Sequence, residues 1–556
     1  MKTMRISAIL ITLFIIGCAT KGSNSIVSLI NEEMDVAPTS VGTVGDGLET
    51  IGITDNLNAT LQYPMQDQYG WTVLSPSEDS RLIYVSSSEG DDNSGKIYHT
   101  NEVNDPLNPE GVYAFKSILK AMRLVRDGYP DWVLLKKGDE WEIDHVIGVV
   151  GAGGRSRSEP VVFTAYGVEE ERPLIKTSGR NGFQSYGSQS FITVAGLDFY
   201  AYKRNPKSDD FVGWDNLKSP VGFKSMTDAE NDHESIVIED NVFRFFSGNV
   251  VFTGAKKSIN MVIRRNKILD AYSVSGHGQG IYVKNGSILM EGNLLDHNGW
   301  YQQNQGIKND STEGQATMFN HNAYIVNSRD SIISNNIITR AASIGLKFTS
   351  NAVNKSTTTN VINSSNLTII NNLFIEGEIG ISIGGNKDFN DGVRWEGINI
   401  VDNVFLNVGE SMPTARPLAW HIIADDWKGG SIIGNYLLFN DNENIRNIIG
   451  IAVLGASTGV TVHSNVMYGL GARTDKVIFL KSFEEMSNLL IYKNHINSYY
   501  GSQSWIRRDI DTYMQEQGES GGLNSFIQAV KAQSKNNWNS AFTPSVVNEY
   551  LKLQFK

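Results

Sequence analysis

Ile236-Val-Ile238-Glu-Asp-Asn241-Val-Phe243 reads apolar, any, apolar, two further residues, Asn, any, apolar. The phrase returns as Met261-Val-Ile263-Arg-Arg-Asn266-Lys-Ile268 and as Ile288-Leu-Met290-Glu-Gly-Asn293-Leu-Leu295. Later copies are anchored at Asn336, Asn372, Asn403, Asn435, Asn465 and Asn494, and a degenerate earlier copy carries Gly196 in place of the Asn. Three residues before the anchor the side chain is always Ile, Val or Met; two residues after it, always Phe, Ile, Leu or Met.

Anchors recur every 25 to 43 residues. A helical repeat could share that length. Within each phrase, however, apolar residues alternate with period two and β-branched residues dominate, which is the signature of strands. So small a unit cannot bury its apolar face alone, and successive copies must stack. The Asn then has two jobs at a tight bend between strands. Its amide can bond the amides of the coils above and below, and its short side chain tolerates left-handed backbone angles. A second strand follows at a looser distance: Gly280-Ile-Tyr-Val283, Asn322-Ala-Tyr-Ile325, Gly345-Leu-Lys-Phe348, Gly380-Ile-Ser-Ile383 and Gly450-Ile-Ala-Val453. With a further short strand these make one coil of a parallel β-helix, about ten coils between residues 185 and 500.

Open solenoid ends expose strand edges that need covering. Phe115, Ile118, Leu119, Met122 and Val125 have helical spacing, so an amphipathic cap is expected over residues 114–127. Leu523, Phe526, Ile527 and Val530 repeat the pattern near the other end. The expected organisation is N-terminal cap and first coils over 76–180, β-helix over 181–500 and C-terminal helical cap over 501–556. The stretch from Leu82 to Trp141, followed by the Asn-anchored repeat, resembles the secreted right-handed parallel β-helix proteins of the pectate lyase-like superfamily. The resemblance covers about residues 85–500. It implies an all-β, right-handed parallel β-helix; its motifs are specific for the fold and much less so for an activity.

The chain opens with basic Lys2 and Arg5, then an apolar run from Ile6 to Ile16 too short to span a bilayer, then Gly17-Cys18. This resembles the bacterial lipoprotein cleavage box, with Ile15 where Leu is commoner. Cys18 is the only cysteine, so neither a disulfide nor a thiolate metal site explains it. The resemblance implies removal of residues 1–17 and lipidation of Cys18. Ala19 then favours the outer membrane, periplasmic or surface-facing, with the lipid as the only membrane contact. An ordinary secretory signal cleaved nearby is the alternative. Residues 18–75, rich in Ser, Thr, Gly and Asn, read as a tether.

A net charge of −12 argues against nucleic acid as a partner. No second apolar stretch is long enough to cross a membrane. No phosphate-binding glycine loop, GxSxG elbow, HExxH or paired CxxC occurs, which removes the commonest nucleotide, esterase and zinc chemistries. Fifty-three glycines against 13 prolines fit many short strands and tight turns.

In a β-helix, equivalent outward positions form columns with a step of about 4.8 Å per coil. Four residues after the Asn stand Asp270, His297, Arg340 and Glu376; the middle of the second strand holds Tyr282, Tyr324, Lys347 and Ser382. The remaining coils put Phe245, Asn407, Val251 and Ala452 there, so polar chemistry concentrates between residues 266 and 385. The neighbouring segments agree. Ser275-Gly-His277-Gly-Gln279 precedes a strand; Asp296-His297-Asn298-Gly-Trp300-Tyr301 opens an insertion that Phe319-Asn-His321-Asn322-Ala-Tyr324 closes. Each residue alone has a bland reading as surface, strand or ion-pair residue. Together they define a candidate cleft: His277, His297, His321, Tyr324, Arg340 and Lys347 for catalysis, and Tyr282, Lys284, Trp300, Tyr301, Asn322 and Glu376 for a sugar chain.

The superfamily resemblance implies action on acidic polysaccharides, as in pectate, alginate and chondroitin lyases. The columns suit β-elimination from a uronate, in which a cation on the carboxylate acidifies the neighbouring proton and a base removes it. Arg340 or Lys347 supplies the cation, and His321, His297 or Tyr324 the base. The pectate lyase Arg-x-Pro-x-x-Arg signature is absent, so no residue role transfers from that family. A glycoside hydrolase using two of Asp270, Asp296 and Glu376, a uronate epimerase, and a non-catalytic glycan-binding lipoprotein are the alternatives. Asp91 and Asp92 in Gly90-Asp-Asp-Asn-Ser-Gly95 are a candidate Ca2+ loop, with a plain polar turn the competing reading. The expected partner is a polysaccharide, and the expected state a monomer.

Overall fold

The computed structural model describes residues 63–555 except 151, 188, 214–216, 218, 274–276, 302–313, 351–364, 385–394, 441, 471–473, 482–486 and 498–506. The expected signal segment, Cys18 and most of the expected tether lie outside the described residues.

Each repeat contributes one strand to each of three sheets, of 15, 12 and 11 strands. The first sheet takes the strands before the anchor, such as Ile236–Glu239, Ser258–Arg264 and Gly286–Glu291. The second takes the three-residue strands after it, such as Val242–Arg244, Lys267–Leu269 and Leu294–Asp296. The third takes the looser strands, including Gln279–Lys284, His321–Val326, Ile344–Thr349 and Ile379–Ile383. Neighbours pair in parallel and in register, with Ile238 opposite Ile263 and Ile263 opposite Met290, so like stacks on like. The fold is a parallel β-helix. The two apolar columns read from the repeat meet in one continuous core running from Ile83 to Val477.

The Asn anchors form an unbroken ladder. Asn241 Nδ2 donates to Asn266 Oδ1, Asn266 to Asn293, Asn293 to Asn336, and so on to Asn494. Each Oδ1 also accepts the backbone N–H of the preceding anchor, as Asn293 does from Asn266 at 2.9 Å. Buried amides are thereby satisfied on both sides. The left-handed residue is not the Asn. It is the one before it, with φ from +52° to +66° at Asp240, Arg265, Gly292, Asn335, Asn371, Asp402, Gly434, Ser464 and Lys493. A second left-handed bend follows the second sheet, at Phe245, Asp270, His297, Arg340, Glu376 and Asn407. These bends keep their inter-coil bonds, as from Asp270 N–H to the Asp296 carbonyl, which offsets the backbone strain.

The helical segments differ from expectation. The N-terminal helix spans only Ile118–Met122, not 114–127. Phe115 is held as a β-bridge to Val85, and Ser117 caps the helix, so regular turns cannot begin earlier. The C-terminal helices Ile510–Glu516, Gly522–Ala532 and Pro544–Lys552 run along the outer face of the second sheet. Phe526, Ile527, Val547 and Leu551 pack there with Leu294, Ile337, Leu373 and Val404. The reason lies in sequence doublets such as Leu294-Leu295 and Leu373-Phe374: consecutive apolar residues in a strand mean that both faces are buried.

Residues 63–75, expected within the tether, are seated on the solenoid. Tyr63 packs on Val237, Val262, Leu289 and Ile332, and Thr72 N–H donates to the buried Glu239. Trp71 meets Trp538 edge-on at 5.4 Å, with the Arg265 guanidinium 4.0 Å from the first ring and 4.7 Å from the second.

Candidate functional site

The outer face of the third sheet carries two polar rows. Register aligns Gln279 with His321 and Ile344, and Tyr282 with Tyr324, Lys347 and Ser382. The rings of Tyr282 and Tyr324 meet edge-on at 5.8 Å, and those of His321 and Tyr324 at 5.5 Å. The Lys347 ammonium stands 6.0 Å from the Tyr324 ring, and Thr349 Oγ1 donates to the Tyr324 hydroxyl at 3.1 Å. Lys284 shares this outer face, and burial raises the pKa of the Tyr282 phenol. His277 is exposed beside Phe319, ring to ring at 5.4 Å. Further along, the face turns apolar through Ile344, Ile379, Leu418, Ile423 and Ile449.

His321 is 3% exposed, and its Nδ1 is buried with no aligned hydrogen-bond partner. Burial, then Lys347, Arg416 and His277, hold its pKa well below the ordinary imidazole value, against a smaller upward pull from the Asn320 backbone. His321 is therefore a neutral imidazole at neutral pH. Burial and then Arg416 also lower the pKa of Lys347, which has no carboxylate partner among the described residues. The site thus combines a neutral base, half-buried phenols and a cation with no anion bonded to it among the described residues.

The other predicted column is a separate construction. His297 Nδ1 lies 2.9 Å from Asp270 Oδ1, and its ring lies 4.3 Å from that of Trp300. Trp300 Nε1 donates to the Arg340 carbonyl. Arg340 binds the wholly buried Asp296, which also takes Lys531 Nζ at 3.0 Å. Burial opposes ionisation of Asp296, but Lys531 and Arg340 outweigh it and its pKa ends low. Burial pushes the Glu376 carboxyl up, with Arg340 pulling it back. Arg340 and Glu376 line a groove of about 500 Å³ with Asp511, Gln515, Leu523 and Asn524 of the C-terminal layer. The expectation of one cleft spanning both columns is therefore corrected. A left-handed bend at Arg340 and Glu376 lies between the two, and these bend residues line the groove against the C-terminal helices.

Asn322 also needs correction as a sugar ligand. It is wholly buried, accepts from Asn298 Nδ2 and donates to the Thr339 carbonyl, inside a second amide ladder that includes Asn249. Tyr301 N–H bonds the Gly314 carbonyl, and the middle of that insertion, 302–313, is outside the described residues. Asp92 accepts from the Lys116 and Ser117 backbones and from Ser117 Oγ, while Asp91 caps the turn at Asn93. Asp91 thus serves the polar turn and Asp92 ties it to the start of the helix Ile118–Met122, and among the described residues no cluster of three or more metal-ligating side chains occurs.

Sequence columns missed Arg416 and Glu378. Arg416 Nη2 donates to Glu378 Oε2 and to Ser343 Oγ, both at 2.6 Å, just ahead of the strand that carries Lys347. Glu378 directly precedes the third-sheet strand Ile379–Ile383, and Arg416 lies in the connection before Leu418–Asp425, so neither falls at a fixed offset from an anchor. Burial pushes the Glu378 carboxyl up, against Arg416 and Thr414.

No protein-family model matches the chain, and no curated protein is similar to it. Among solved structures, a GH136 lacto-N-biosidase from Eubacterium ramulus is 14% identical with a TM-score of 0.36, covering 75% of this chain and 68% of that one. A rhamnogalacturonan lyase is 12% identical with a TM-score of 0.37, covering 81% and 99%. The mannuronan C-5 epimerase A-module of Azotobacter vinelandii is 12% identical with a TM-score of 0.31, covering 67% and 91%. At such similarity the chemistry of this chain rests on its own residues.

Proposed function

We propose that this protein is a polysaccharide lyase acting on a uronate-containing polymer by β-elimination on the outer face of the third sheet. The observation that carries this reading is the neutral, buried His321 beside Lys347, a cation without an anion among the described residues. Lys347 receives the uronate carboxylate and acidifies the C5 proton. The His321 imidazole takes that proton, the electron pair forms the C4–C5 double bond, and the C4–oxygen bond breaks. Tyr324 donates its proton to the leaving oxygen, and the two side chains later exchange protons with solvent. No oxidant or water is consumed. The bound carboxylate also offsets the cations that depress His321, raising its basicity when substrate is present.

A hydrolase needs two carboxylates, and two of the three candidates are held by other side chains, Asp296 by Arg340 and Lys531 and Asp270 by His297, which leaves Glu376 alone. That is why elimination ranks above hydrolysis. An epimerase shares the first proton abstraction, and a binding protein keeps only the aromatic contacts. In this reading the enzyme works at the outer membrane, carried by a lipid on Cys18.

The test is ultraviolet absorbance of unsaturated uronate ends during incubation with a panel of uronate polymers. A rise abolished by His321→Ala establishes the lyase. New reducing ends without absorbance mean hydrolysis, solvent-proton exchange without cleavage means epimerisation, and binding alone means a lectin-like protein.

A further inference from the structure

The guanidinium of Arg416 is clamped along one edge. Nε and Nη2 both bind Glu378 Oε2, at 3.0 and 2.6 Å, while Nε also reaches Thr414 Oγ1 and Nη2 reaches Ser343 Oγ. Thr414 in turn donates its N–H and hydroxyl to Glu378 Oε1, so the wholly buried carboxylate is itself saturated. The arrangement fixes the plane of the guanidinium. It leaves Nη1 without a hydrogen bond among the described residues, on a side chain that is 29% exposed. Arg416 lies close enough to Lys347 and to His321 for its charge to act on both.

The charges do not balance. Lys347 and Arg416 are cations and Glu378 is the one anion bonded to them among the described residues, while His321 is neutral. A partly desolvated positive site with a preoriented, unused N–H calls for an anion from outside. We infer that Arg416 and Lys347 together seat the substrate carboxylate, with Glu378 as the positioning residue, so that the site selects free uronate over its ester or a neutral sugar. This rests on the reading of the third-sheet face as a uronate site. A planar guanidinium with one edge anchored presents its other N–H groups to a carboxylate at low ordering cost, and charge-assisted bonds are about twice as strong as neutral ones.

The experiment measures binding of the full chain to hexamers of galacturonate, mannuronate, guluronate and glucuronate, each beside its carboxyl-reduced and methyl-esterified forms. Wild type is expected to hold at least one free acid about tenfold or more tighter than its neutral forms. Arg416→Gln should erase that preference through KM more than kcat, and Arg416→Lys should restore part of it. Because Arg416→Gln strands the buried Glu378, the double variant Arg416→Gln/Glu378→Gln removes both charges and keeps the comparison open if the single variant misfolds. Glu378→Gln alone should weaken the preference while leaving the charge of Arg416. An unchanged acid-over-ester ratio in the folded variants overturns the role of Arg416 and leaves the lyase reading standing. Failure of wild type to bind or cleave any member of the panel overturns both.

Discussion

Arg340 grips Asp296 with two nitrogens, Nε to Oδ1 at 2.8 Å and Nη2 to Oδ2 at 2.7 Å. The carboxylate is wholly buried and takes Lys531 from the helix Gly522–Ala532 as its second cation. Arg340 also reaches Asn524 at 3.2 Å. The pair thus ties the second sheet to the C-terminal layer.

Asp296→Ala should loosen that layer. Removing the anion leaves two cations facing each other at low exposure, costing about 3 kcal/mol or more. Hydrogen exchange over residues 510–552 should accelerate, and the denaturant midpoint should fall. Turnover per folded molecule should persist, because the His321 face is built without Asp296.

The Asn ladder is the most sensitive line through the solenoid. Asn336 donates to the Met290 carbonyl and to Asn372 Oδ1, and accepts from the amide and the backbone of Asn293. Asn336→Ala should cost about 3 kcal/mol or more, since several buried groups lose partners together. Asn494→Ala, in the last rung, where fewer bonds are made, should cost less in the same denaturation series.

Acid should destabilise the fold through its buried histidines. His421 sits between the Phe405 and Phe439 rings and bonds the Ile449 carbonyl; burial lowers its pKa to about 4. The unfolded chain takes a proton below about pH 6.5 that the fold refuses until about pH 4. The contribution of this site is complete above pH 6.5 and lost as pH falls toward 4, roughly 3 kcal/mol in all. His421→Leu should flatten stability over that window, and a denaturation series at stepped pH reads it directly.

The lyase reading has its own pH signature. His321 acts as a neutral base, and its pKa lies well below the ordinary value in the free protein. The acid limb of kcat/KM should therefore fall below pH 6.5, with activity sustained above it. Lys347→Met should reduce turnover by about a hundredfold or more, as expected for loss of a charge aimed at the reacting group. Added chelator should leave the rate unchanged, because Lys347 supplies the positive charge.

The repeated phrase alone determined the coil. Period-two apolar columns fix which residues face inward, and a buried amide at each anchor must find partners in adjacent copies, so a stacked parallel solenoid is the consistent solution. Tyr282, Tyr324 and Lys347 were legible as neighbours for the same reason: they share a strand register, and His321 stands three residues before Tyr324 on the same strand. Tertiary structure decided the rest. A left-handed bend at Arg340 and Glu376 turns their column away from that of Lys347, and bend direction is a backbone property that side-chain spacing does not encode. The C-terminal helices chose the flank of the second sheet over its end because its outer face was already apolar. Arg416 and Glu378 meet across an irregular connection, where no period relates sequence to space, and their pairing exists only once the chain has folded.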